Sequence, residues 1–131
     1  MHIRLFPLLL ILFAYPAAAI NTSSGESTYT NSALSNTVAA VKTTPGIIYG
    51  YNFVNKGVAD AWVQFFDVAS ASVTPGTTAP KLSLWLPAGG GFEEKQALGI
   101  AFGTAISIIA TTASTGGSAP ATAIVANVFY K

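Results

Sequence analysis

The sequence predicts an all-β domain, an antiparallel β-sandwich or jelly-roll-like fold of about seven to eight short strands. Three observations carry this expectation. Apolar residues recur with period two over several segments, as half-buried strands require. Turn formers punctuate those segments at near-regular intervals, among them Pro45-Gly46, Asn55-Lys56-Gly57 and Gly89-Gly90-Gly91. No stretch shows the 3.6-residue apolar period of a helix packed on one face. With 131 residues the chain has room for one domain and a sizeable core.

The first segment, MHIRLFPLLLILFAYPAAA (residues 1–19), stands apart from the rest. A basic start at Arg4 leads into an apolar run from Leu5 to Tyr15 and then Ala17-Ala18-Ala19. That is the order of a secretory signal peptide, with cleavage expected after Ala19. The run is shorter than the ~20 residues of a membrane span, so membrane contact is expected only in transit. Residues 20–36, INTSSGESTYTNSALSN, are polar and read as a flexible arm that a partner would order. Tyr29 is the arm's large aromatic and a candidate interface residue. The triplet at Asn21 matches a glycosylation sequon, a pattern too common to decide anything.

The sandwich itself is expected over residues 37–131. Residues 37–42 (TVAAVK) read as a short strand ended by Pro45-Gly46. In residues 47–54 (IIYGYNFV), period two would place Ile47, Tyr49, Tyr51 and Phe53 on one face. Gly57 would then supply the positive φ of a hairpin turn. Residues 59–68 (ADAWVQFFDV) set Trp62, Phe66 and Val68 against Val63 and Phe65. A Ser/Thr/Pro/Gly loop leads to residues 81–87 (KLSLWLP), where Leu82, Leu84 and Leu86 face in while Lys81, Ser83 and Trp85 face out. Residues 92–103 suit a bent strand better than a helix. Two strands rich in β-branched residues, 104–114 and 121–131, close the domain around the loop TGGSAP. In the last of them both alternating sets are apolar enough to predict cover on both faces.

Composition narrows the function. Charged residues make up 8% and hydrophobic ones 51%, so a neutral, hydrogen-bonding surface of Ser, Thr, Gly and Asn is expected. A net charge of +1 with scattered lysines argues against nucleic acid, whose counterion release needs clustered Lys and Arg. There is no Cys, and the single His and single Arg both lie in the signal-like segment, at His2 and Arg4. The remainder holds no imidazole base, no His or Cys metal ligand and no means of building a Ser-His-Asp triad. An enzyme is not expected, nor any cofactor or metal.

The stretch PAGGGFEE is the one that could carry chemistry. A phosphate cradle needs glycines that open a helix, and no helical period follows Gly91. Glu93 and Glu94 would point to opposite faces of a strand, unlike the paired carboxylates of glycosidases. Gly89, Gly90 and Gly91 are therefore read, like Gly57, as turn glycines. Asp60 and Asp67 mark strand ends. Trp85 is the candidate contact residue, because an outward Trp opposite three inward leucines is typical of an interface.

The run IIYGYNFVNKGVADAWVQFFDVASA, the turn LSLWLPAGGGFEE and the closing segments GIAFGTAISIIATT and IVANVFYK resemble small β-sandwich structural proteins of tailed bacteriophages. The likeness spans residues 37–131. It implies a virion protein of the head-decoration or capsid-stabilising type, an oligomer that binds a repeating protein lattice without catalysis. The signal-like start implies the alternative: a secreted or periplasmic β-sandwich module that binds surface glycans or forms part of an extracellular filament or surface layer.

Overall fold

The computed structural model describes residues 25–131. The signal-like segment, its cleavage point and the first residues of the arm lie outside them. Eight strands follow one another: β1 (Ser27–Leu34), β2 (Ala39–Lys42), β3 (Gly46–Val54), β4 (Ala61–Phe66), β5 (Leu82–Leu86), β6 (Gly91–Phe102), β7 (Ile106–Thr111) and β8 (Ile124–Tyr130), with one 3-10 turn at Ser70–Ser72. They form two four-stranded antiparallel sheets ordered β1-β8-β3-β6 and β2-β7-β4-β5. The protein is an all-β sandwich, as its period-two pattern predicts.

The pairings nest: β1 with β8, β2 with β7, β3 with β6, and β4 with β5. The chain is in effect one long hairpin, folded at the link between β4 and β5 and rolled so that successive rungs fall in alternate sheets. That is the jelly-roll arrangement. Every link except β4–β5 therefore crosses between sheets. The segment after β3 is such a crossing, which corrects the expected hairpin at Asn55–Gly57. Gly57 does not have positive φ either; among the described residues that is found only at Gly76, Gly89 and Gly99. Space is what constrains Gly57, since a Cβ there would lie 3.0 Å from Asn55 Oδ1 and 3.1 Å from Thr122 Cβ.

Between the sheets lies one apolar core, with Leu34, Ile48, Tyr51, Phe53, Val63, Phe65, Leu86, Phe102, Ile106, Ile108, Ile124 and Val128 all buried. Phe65 is at its centre, its ring centroid 6.0 Å from both Tyr51 and Phe53 and 6.3 Å from Phe102. The alternation of β5 is as expected: Leu86 is buried, Leu82 and Leu84 pack on the core, and Trp85 is exposed. On the outer face of β4 and β7 a smaller cluster of Phe66, Val73 and Ile109 is closed over by the β4–β5 link. All six residues of β7 are consequently buried.

Three further expectations need correction. Residues 27–34 are not a free arm but β1, paired with β8 from Ser27↔Tyr130 to Leu34↔Ile124. Polar side chains suit an edge strand with one wet face, and Tyr29 and Leu34 anchor its other face. In β3 the register against β8 slips between Ile48 and Gly50, leaving Tyr49 as an extra residue. This β-bulge breaks the alternation, so Ile48, Tyr51 and Phe53 are buried while Ile47 and Tyr49 are only half-buried. In β8 the second set, Val125, Asn127 and Phe129, is likewise half-buried, with no further layer over it among the described residues.

Candidate functional site

The links β1–β2, β3–β4, β5–β6 and β7–β8 gather at one end of the roll, because each leaves an odd strand for an even one. Asn55 organises this end. Its side chain is buried and Nδ2 donates to the carbonyl oxygens of Ala59 (3.0 Å), Pro87 (3.2 Å) and Leu86 (3.3 Å), while Oδ1 accepts from the Gly57 N–H at 2.9 Å. The Gly89 N–H donates to Gly57 O at 2.9 Å, and the Asn55 N–H donates to Gly90 O at 2.8 Å. The β3–β4 link and the glycine turn are thereby tied into one unit.

That unit holds Trp85. The indole Nε1 donates to Asp60 Oδ2 at 3.1 Å, and Asp60 Oδ1 accepts from the Ala88 N–H at 3.0 Å. One carboxylate thus fixes both the ring and the start of the turn. Trp85 stands directly across the β4–β5 pair from Trp62 and remains 51% exposed. Val58, two residues before the clamping Asp60, is 99% exposed. The indole is thus held while its face stays open, so little rotamer freedom would be left to lose on contact.

The glycine run holds a turn at Gly89 and Gly90, but Gly91, expected as a turn glycine, already opens β6 and pairs with Val54. Gly89 has φ +66 with open space around it, and a Cβ on Gly90 would approach Pro87 Cγ to 2.6 Å. Glu93 and Glu94 do point apart. Glu93 is exposed, whereas Glu94 lies at the core's rim and accepts from the Tyr51 hydroxyl at 2.8 Å and from Gln96 Nε2. Burial, helped by that carboxylate, pushes the Tyr51 phenol well above its ordinary 10.0. Tyr29 packs on the core from β1, and its hydroxyl accepts from Asn31 Nδ2 at 3.0 Å.

At the opposite end Asp67 joins two links. Its carboxylate accepts from the N–H groups of Gly103 (2.9 Å) and Thr104 (2.8 Å) and from Lys81 Nζ (2.9 Å). The Gly103 N–H first, then Lys81 and Thr104, hold this carboxyl well below the usual carboxylate range. The role is to brace loops. Among the described residues no three of His, Cys, Asp and Glu come together as a metal site needs.

Sequence reasoning missed a groove of about 490 Å³ on the outer face of the β1-β8-β3-β6 sheet, lined by Glu26, Tyr49, Gly50, Lys95, Gln96 and Phe129. Its only sequence trace is the Tyr-Gly pair inside an otherwise bulky strand, since Gly in a strand interior often marks a bulge or a close approach. No family model, curated protein or solved structure matches the chain.

Proposed function

We propose that this protein is a non-enzymatic structural subunit, a capsid-decoration or capsid-stabilising protein that adds a small jelly roll to a repeating protein lattice. The observation that carries the reading is Trp85, exposed yet clamped by Asp60 at the loop end of the sandwich. A few immobilised aromatics dominate most protein interfaces, and this one is held in place before any partner arrives. The mostly neutral surface and the shortage of acid–base groups agree with binding rather than turnover. Fold alone would not argue this, because jelly rolls serve capsids and lectins alike.

The test compares purified particles with the exported fraction of the source cells by intact mass and stoichiometry. Stoichiometric protein in particles is expected, with Trp85→Ala reducing incorporation by about tenfold or more, the effect of a single hot-spot residue. Protein found only in the exported fraction, with a mass beginning at Ile20, would replace this reading with that of a secreted module.

A further inference from the structure

The groove on the outer face is built by two irregularities acting together. The bulge in β3 turns Tyr49 outward. Opposite it, β6 departs from the ladder: Ile48 pairs with Ile100 but Gly50 pairs with Lys95, so residues 96–99 face Tyr49 alone. The displaced chain returns through Gly99, at φ +73, where a Cβ would lie 2.3 Å from Ile47 Cγ2 and 3.2 Å from Tyr49 Cε1. Glycine main chain therefore packs against the Tyr49 ring, and Lys131 Nζ lies 5.7 Å from the ring centroid. On the other side, Phe129 reaches over Gly50, its Cδ2 3.4 Å from where a Cβ would be. Bulges at sheet edges commonly re-aim side chains in this way.

The outcome is two aromatic rings over a floor that lacks a side chain, with a rim of mixed polarity. Glu26 offers acceptors, Lys95 offers donors, and Gln96 carries an amide whose nitrogen engages Glu94. The volume falls within the range of small-molecule sites, about 300–1,000 Å³. A sugar ring is the complement of such a surface, with an apolar C–H face and a periphery of hydroxyls that both donate and accept. A peptide fits less well. It would add to the free edge of β6, and there the ladder is interrupted over residues 96–99.

We propose that this groove binds a saccharide, stacking one sugar ring on Tyr49 and Phe129 and hydrogen-bonding its hydroxyls to Glu26, Lys95 and Gln96. The site is separate from Trp85, so it stands whether or not the protein joins a lattice.

The full chain would be screened on an array of glucose, mannose, galactose and N-acetylglucosamine oligosaccharides, and hits would be titrated in solution by isotope-edited NMR. At least one oligosaccharide is expected to bind. Tyr49→Ala and Phe129→Ala should each weaken it by about tenfold or more, and Lys95→Ala by a smaller factor, with Trp85→Ala having no effect. Lys95 is exposed, so its variant keeps the test open if a ring deletion unfolds the domain. No binding at millimolar oligosaccharide, binding indifferent to the groove variants, or binding abolished by Trp85→Ala would overturn the proposal. So would a groove that selects peptides from a display library and takes no sugar.

Discussion

Asp67→Asn is expected to destabilise the domain at neutral pH, by an amount that shrinks in acid. The carboxylate takes three hydrogen bonds: Oδ1 from Thr104, and Oδ2 from Gly103 and Lys81. An amide keeps one acceptor oxygen and turns an NH₂ toward the remaining donors, so one or two charge-assisted bonds are lost. Each is worth about 1.5–3 kcal/mol when well shielded. The Asp67 side chain is 26% exposed and Lys81 39%, and solvent screening reduces the expected total to about 1–2 kcal/mol. For a domain of this size that lowers Tm by about 4–8 °C per kcal/mol. The folded state holds the carboxyl below its ordinary 3.8, so the unfolded chain binds the proton first as pH falls. The stabilisation is therefore complete above that value and drains away below it. Thermal unfolding of both proteins by circular dichroism, between about pH 7 and pH 2, should show curves that converge in acid. A constant offset at every pH would assign the loss to packing, and no offset would remove Asp67 as a brace.

Further substitutions probe other parts of the roll. Phe65→Ala removes a fully buried ring that meets three others and should cost about 3–5 kcal/mol in urea unfolding. Gly99→Ala combines positive φ with a 2.3 Å approach to Ile47 and should cost about 1–3 kcal/mol, with Tyr49 losing its place. In alkaline spectrophotometric titration one tyrosine should stay un-ionised past pH 10 until the fold is lost, and Tyr51→Phe should abolish that lag. Because the fold disfavours the Tyr51 phenolate, stability should fall as pH rises through 10.

Much of this architecture is legible in the residues. The alternation over 81–87 assigns Leu82, Leu84, Leu86 and Trp85 to their faces, and the run after Gly91 lacks a helical period, which identifies Gly89 and Gly90 as a turn leading into a strand. What escapes is set by partners distant in sequence. Strand β1 is rich in Ser, Thr and Asn, and only its ladder with β8 makes it a strand. Period-two reading assumes an unbroken pleat, so the bulge at Tyr49 inverts the faces of Ile47 and Ile48 without any mark beyond Gly50. The apparent hairpin at Gly57 fails for a related reason: turn chemistry reports that the chain bends, not whether the next strand joins the same sheet. Trp85 could be read as outward, but the Asp60 clamp depends on a register no single strand reveals.

The nesting of strand pairs also dictates an order of events on the ribosome. The innermost rung, β4 with β5, is complete early, whereas Thr30 and its partner Asn127 are 97 positions apart. A nascent chain therefore carries β1 with no native neighbour until β8 emerges, and β3 lacks one of its two until then. Non-local pairing of this kind is slow to form and leaves sticky strand edges in the meantime. The Ser, Thr and Asn of β1 keep that waiting strand soluble, so the polarity that disguises it in the sequence also protects it during biogenesis.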